Sequence, residues 1–232
     1  MVTFNGEKYI REQMDSILSQ LQEGDELVVS DDGSTDGTLQ ILWEYQQKDP
    51  RVRPIQGPKQ GIKKNVEHVL KNTRGNYIFL ADQDDIWLPG KVEKVMQAFA
   101  EHHVMVVVHD AKVFEGEDPE QIVMESFFAF RNSGPGVVKN MMKNSYIGCC
   151  MAFQRKLKEV IFPIPDKIEM HDQWIGILGD YTDGKSYFLP EPLLLYRRHG
   201  ENNSGMKHYG IGKMLRNRMV FFGYFFKKLL HI

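Results

Sequence analysis

Four times in the first hundred residues a short apolar run gives way to a polar loop, then to a longer stretch whose apolar side chains recur at helical spacing. Residues 1–4 stop at Asn5-Gly6, and Tyr9, Ile10, Met14, Ile17, Leu18 and Leu21 follow. Residues 26–30 end in Asp31-Asp32-Gly33-Ser34-Thr35-Asp36-Gly37, ahead of a helical pattern over 38–47. Residues 52–56 precede a pattern over 62–71, and residues 76–81 precede one over 89–101. Repeated strand-loop-helix order is satisfied by parallel strands with crossover helices, so the expected class is α/β. Sheets of this kind bind ligands beyond the carboxyl ends of their strands. Those ends carry residues 3–5, 31–34 and 82–85, so polar and acidic groups from separate strands are expected along one edge. The first run starts abruptly at Met1, which suggests that the natural chain or an ancestor had a few further residues ahead of it.

Asp82-Gln83-Asp84-Asp85 packs three carboxylates into four residues directly after an apolar run. Clustered carboxylates repel and raise one another's pKa, and such a group at a strand end is commonly kept by a cation among its oxygens. Hard oxygen ligands suit Mg2+ or Mn2+, and an ion held by one or two carboxylates keeps coordination sites for phosphates. An acidic loop without a ligand is the competing reading of such a short motif.

The 232 residues are 42% hydrophobic and 26% charged, enough for one sizeable core, and the net charge of -2 argues against general nucleic-acid binding. Cys149 and Cys150 are adjacent, a spacing that suits neither an ordinary disulfide nor a zinc site and points to a reducing, cytoplasmic compartment. No signal-peptide pattern opens the sequence, and no apolar run approaches the ~20 residues that span a bilayer. Beyond residue 102 the pattern is more mixed. Residues 103–108 read as a strand ending at His109-Asp110, a region rich in aromatics and glycine leads to residues 146–153, and His171-Asp172-Gln173-Trp174 opens a helical pattern to Leu178. Residues 187–189 and 193–196 read as two strands ahead of Arg197-Arg198-His199-Gly200.

Seven motifs in order across residues 3–203 carry a resemblance. They are T-F-N-G at 3–6, D-D-G-S-T-D-G at 31–37, G-x-x-x-N at 61–65, D-Q-D-D-I-W-x-P at 82–89, G-C-C-M-A-F at 148–153, H-D-Q-W at 171–174 and Y-R-R-H-G-E-N-N at 196–203. Together they resemble glycosyltransferase family 2, in the branch that contains many bacterial rhamnosyltransferases. The resemblance implies a GT-A fold, Rossmann-like with a mostly parallel sheet flanked by helices and a mixed acceptor-side second half. Residues 1–204 would form one catalytic domain, with a nucleotide-binding half (1–102) and an acceptor-binding half (103–204). It further implies a UDP- or dTDP-sugar donor, a divalent metal, and inversion during transfer of rhamnose or another hexose to a glycan or lipid-linked acceptor in cell-surface polysaccharide synthesis. A metal-dependent nucleotidyltransferase and a non-catalytic nucleotide- or glycan-binding module are the alternatives.

Carried over position by position, Asp84 matches the metal-binding last acid of the family's D-x-D, and Asp82 the acid that holds ribose or a metal-bound water. Asp85 lies one position beyond, where capping the helix opened by Pro89 is the rival role. Asp32 matches the acid that accepts N3-H of uracil or thymine, whereas Asp31 suits turn chemistry. Thr3, Phe4, Asn5, Gly61 and Asn65 fall in donor-binding motifs, with Phe4 near the base or, equally, the last core residue of its strand. Asp172 matches the general base, with His171 in place of the usual first acid, and the start of a helix explains the same residue structurally. His199 matches a second metal or phosphate ligand and Arg197 a phosphate clamp, while Asp110 is a further candidate for the donor sugar. Lys59, Lys63 and Lys64 are candidates for phosphate, against ordinary exposed lysines, and Trp87 and Trp174 for an apolar wall, against core tryptophans.

Residues 202–232 hold no acid and six Lys or Arg around an apolar stretch at 219–226. A basic amphipathic helix over 205–232 is expected. It either lies at an anionic membrane surface, with Phe221, Phe222, Phe225 and Phe226 at the acyl boundary, or packs on the domain or a partner subunit.

Overall fold

The computed structural model describes residues 1–182, 185–200 and 210–230. In chain order the first half runs β1 (Val2–Thr3), α1 (Ile10–Leu18), β2 (Leu27–Asp31), α2 (Thr38–Lys48), β3 (Val52–Gln56), α3 (Ile62–Asn72), β4 (Tyr77–Phe79), β5 (Ile86–Trp87) and α4 (Lys91–His102). The second runs β6 (Val106–Glu115), β7 (Ile122–Met124), α5 (Phe127–Arg131), α6 (Val137–Met142), β8 (Met151–Gln154), α7 (Lys158–Ile161), α8 (His171–Tyr181), β9 (Ser186–Arg198) and α9 (Ile211–Leu229). The expected α/β alternation is present, with helix limits within two or three residues of the periodic patterns.

β1, β2 and β3 form a parallel sheet in that order, and β2 is buried along its length, as a parallel strand covered on both faces must be. The other sheet has the order β4-β8-β6-β9-β5, with β7 on β6. It is mixed: β6 pairs in parallel with β9 and antiparallel with β7 and β8. The sheets meet where the Val2 amide donates to the Ala81 carbonyl at 3.3 Å, just past β4, whose pairing with β8 is extended by the Leu80 amide donating to the Met151 carbonyl at 2.9 Å. This seam sets the acidic loop after β4 beside the ends of β1 and β2.

Two readings change. β6 does not stop at His109-Asp110 but runs to Glu115, and the two runs at 187–189 and 193–196 are one strand, β9. Pro190 and Pro192 interrupt the hydrophobic pattern, and the ladder absorbs them through register shifts on either side of Asp110. The tail does form a helix, but Phe221 packs edge-on to Trp174 and Phe225 edge-on to Tyr181, so these two phenylalanines belong to the domain core. Lys228 and Arg218 add hydrogen bonds to the carbonyls of Phe162 and Met142. Residues 201–209, which include the last three residues of the 196–203 motif and the start of the tail, lie outside the described residues, as do 183–184 and 231–232.

Candidate active site

The acidic loop is held from three sides. The Gln83 amide accepts from the Thr3 hydroxyl at 2.6 Å and the Phe4 amide at 2.8 Å and donates to the Phe4 carbonyl, which straps the loop to the end of β1. Gly6 is needed there, because a Cβ would lie 2.4 Å from the Gln83 side chain. On another side, His199 Nε2 sits 2.8 Å from Asp84 Oδ2, with its ring against Tyr9. Arg197 supplies the third. The residue is 1% exposed, and its guanidinium lies between the rings of Tyr9 and Phe114 and donates to the carbonyls of Asp84 and Gly116 and to the Glu12 carboxylate. The phosphate clamp expected of Arg197 is therefore replaced by an internal brace, since its fork is spent inside the protein.

Asp85 does not cap a helix, because β5 and Gly90 intervene before α4 begins. It is buried; one oxygen accepts the Arg197 amide at 3.1 Å and the other has no hydrogen-bond partner. Burial, then the charges of Asp84 and Asp82, push its pKa well up. Burial likewise lifts Asp82 to about 7, with further contributions from Asp84 and Asp172. Lys91 enters from the far side, with its ammonium over the Trp87 ring and donating to the Cys149 carbonyl at 3.0 Å. Burial lowers its pKa to about 8 despite the acids around it.

Ligand atoms of Asp82, Asp85 and Cys149 lie within 4.8 Å of one another. The thiol is a poor partner for a hard cation, because the neighbouring Cys150 and burial raise its pKa and keep it protonated. The carboxylates fit far better. They crowd together with raised pKa values and an unpartnered buried oxygen, and Asp84 carries an imidazole beside it, a donor set suited to Mg2+ or Mn2+.

The donor-motif residues divide. Asp31 is structural: its carboxylate accepts the amides of Gly33 and Ser34 and the Ser34 hydroxyl. Asp32 accepts the amides of Lys59, Gln60 and Gly61, so Gly61, at a φ of +84°, closes a loop around it. Asn65 is a buried joint between α3 and β2, bonded to the Ser30 carbonyl and hydroxyl rather than open to a donor. Phe4 is 55% exposed at the loop tip and is no core residue; Asn5, at a positive φ, accepts the Thr35 amide. Lys63 donates to the carbonyls of Asp166 and Ile168, and Lys64 pairs with Asp166 and Glu67, so both are engaged with their own domain.

Asp172 is the second residue of α8, whose N-cap is Met170, and its carboxylate accepts from the Gln173 amide and from Asn144 Nδ2 at 3.3 Å. Burial lifts its pKa to about 6, and its charge in turn raises Asp82, so the acidic loop and α8 face a common space. A cavity of about 10 Å³, room for one water, is lined there by Asp82, Gly148 and His171. Burial drives His171 down to about 4, so the residue replacing an acid is neutral. Trp174 donates to the Ile161 carbonyl inside the core and Trp87 is equally buried, so neither forms a sugar-facing wall. Asp110 is also committed, accepting from the Ala111 and Phe128 amides and the Ser126 hydroxyl and thereby fixing the start of α5.

The sequence pattern did not bring out Gln83, Glu12, Tyr9, Lys91 or Asn144. The first and fourth lie inside or beside the acidic motif, which is the one signal that could have marked them. Glu12, Tyr9 and Asn144 are joined to it only by the fold.

The sequence and the fold have counterparts among known proteins. A family model described as glycosyl transferase family 2 matches residues 1–162. An uncharacterized glycosyltransferase of Nostoc sp. is 26% identical over 211 residues, 86% of this chain and 64% of its own length. The dTDP-rhamnosyl transferase RfbG of Shigella flexneri is 26% identical over 220 residues, 88% of this chain and 73% of its own. Among solved structures, S. aureus TarS 1-349 in complex with UDP-GlcNAc superposes with a TM-score of 0.72 at 21% identity, covering 94% of this chain and 64% of that one. Mannosyltransferase PcManGT from Pyrobaculum calidifontis, in complex with GDP-Man and Mn2+, reaches 0.61 at 19% identity, covering 88% and 56%. The fold is GT-A, and the chain belongs to glycosyltransferase family 2.

Proposed function

We propose that this protein is an inverting, metal-dependent glycosyltransferase that moves rhamnose or another hexose from a UDP- or dTDP-sugar to a glycan or lipid-linked acceptor in cell-surface polysaccharide synthesis. It works in the cytoplasm, in part at the inner face of the membrane. The observation that carries the reading is the presence of two unlike acidic centres: the Asp84–His199 pair on the acidic loop, and Asp172 on α8, buried, raised to about 6, and next to His171, which lines one small cavity with Asp82 of that loop. Direct displacement at an anomeric carbon needs both, a place for the departing diphosphate and a base for the incoming hydroxyl.

In this mechanism the acceptor hydroxyl forms its bond to the anomeric carbon as Asp172 takes its proton, and the bond to the nucleoside diphosphate breaks on the opposite face. Asn144 and the Gln173 amide hold the carboxylate in place. Asp84 and His199, with Asp82 and Asp85 behind them, would hold a divalent ion, which supplies charge stabilisation for the leaving diphosphate. Gln83 and Arg197 fix the loop so that little reorganisation accompanies the reaction. Asp32, oriented by three amides, keeps a lone pair on Oδ2 for the N3-H of a uracil or thymine ring beside the exposed Phe4. The dTDP-rhamnosyl and UDP-GlcNAc chemistry named for two similar proteins supports a pyrimidine donor.

A panel of UDP-, dTDP-, CDP- and GDP-sugars, assayed for metal-dependent hydrolysis and transfer, tests the reading. Turnover of UDP or dTDP donors that EDTA abolishes is expected. Comparable use of all four nucleotides, or full activity in EDTA, would overturn it.

A further inference from the structure

α9 commits one face to the domain and leaves another bare. With 3.6 residues per turn, the exposed Leu215, Met219, Phe226 and Leu230 fall in one stripe about 60° wide, with Phe222, partly buried against the core, at the edge nearer the buried Phe221 and Phe225. Met219 is 67% exposed and Leu230 84%. Arg216, Lys227 and Lys213 follow along one border of the stripe and Arg218 marks the other, while residues 210–230 contain no acid in a chain of net charge -2. The face continues onto α6, which Arg218 joins through the Met142 carbonyl. There Val138 and Met142 are exposed beside Lys139 and Lys143. Asn144, two residues beyond α6, is hydrogen-bonded to Asp172.

We propose that this α6–α9 face docks on an anionic lipid surface. The match is one of charge and shape: an apolar stripe bordered by cations, on a helix lying across the domain, is the form of an interfacial helix. Among the described residues no helix is long and apolar enough to cross a membrane, so the contact is peripheral. A second copy of the chain fits less well, because a two-fold pairing of the stripe would bring its cationic borders together. Docking in this pose sets Asp172 near the membrane plane, where a lipid-linked acceptor presents its sugar. That last consequence rests on the glycosyltransferase reading, whereas the docking itself does not.

Flotation of the chain with phosphatidylcholine vesicles, with and without phosphatidylserine, at low and high salt tests the proposal. M219E/F226E and R216E/K227E alter only exposed side chains, and their melting temperatures verify folding. Flotation of the parent with anionic vesicles at low salt is expected, with binding falling at least about tenfold in high salt and in each variant. A parent that stays unbound, or variants that float like it, overturns the proposal. So does a dimer in light scattering that M219E/F226E dissolves without any flotation, which would assign the face to a second copy. Donor hydrolysis in vesicle-free solution, measured on the same samples, is expected to be unchanged in both variants. Its absence from the parent would sink the transferase reading while leaving the flotation result intact.

Discussion

As the proposed base, Asp172 would couple pH to chemistry and to folding in opposite directions. The carboxylate form is the one that takes a proton, so kcat/KM is expected to climb as pH rises through about 6 and to level off above it. A pH-rate profile checks this, and a flat profile between pH 5 and 8 would contradict it. In folding, the native carboxyl holds its proton up to about 6 and the unfolded one only to about 4, so stability falls as pH rises through that window. Asp172→Asn removes this penalty. The variant is expected to be more stable than the parent at pH 7.5 by about 1 to 3 kcal/mol, with the difference gone below about pH 4, as paired urea melts would read. It should lose transfer by about 10² to 10⁴ while keeping donor affinity within a few-fold. Asp84→Asn is expected to fail differently, losing transfer by several kcal/mol in transition-state stabilisation together with metal-dependent donor binding.

At the scale of elements, the sequence revealed which loops come together at the strand ends but not how they are braced. Strand-loop-helix periodicity is a local signal, and it placed the ends of β1, β2 and β4 on one edge correctly. Arg197 is the opposite case: from sequence it reads as a basic residue at a strand end, and only the pairing of β9 with β5 and β6 drives its guanidinium under the acidic loop. Asn65 and Asp110 show the same limit, since the groups that engage each lie elsewhere along the chain, and of the two roles weighed for Trp174 the structure shows the core one. The brace predicts a stability effect. Arg197→Met leaves the carbonyls of Asp84 and Gly116 without their donor and releases the half-exposed Glu12 carboxylate to water, and is expected to cost about 1 to 3 kcal/mol in urea melts. Arg197→Lys should restore little, because one ammonium cannot span a fork that reaches three partners. Parent-like stability of the lysine variant would contradict the assignment.

For the whole molecule, the sequence leaves α9 a choice between membrane and domain, and the structure packs one of its faces on the domain. The pattern of apolar residues could not apportion them, because Phe225 and Phe226 are neighbours in sequence and one is buried in the core while the other is exposed. Phe221→Ala, which empties the contact with Trp174, is expected to lower stability by about 3 kcal/mol, while Phe226→Ala should change it by less than about 0.5. The chain spans 64% of the first relative it matches, so the catalytic assignment rests on what residues 1–200 hold in common space. That assignment separates a metal-diphosphate centre from a base. Calorimetric titration of UDP and dTDP into the parent, Asp84→Asn and Asp172→Asn, with Mn2+ and with EDTA, tests the separation most directly. Metal-dependent binding by the parent and Asp172→Asn, lost in Asp84→Asn, is the result predicted here; binding that ignores EDTA and is equal in all three would contradict it.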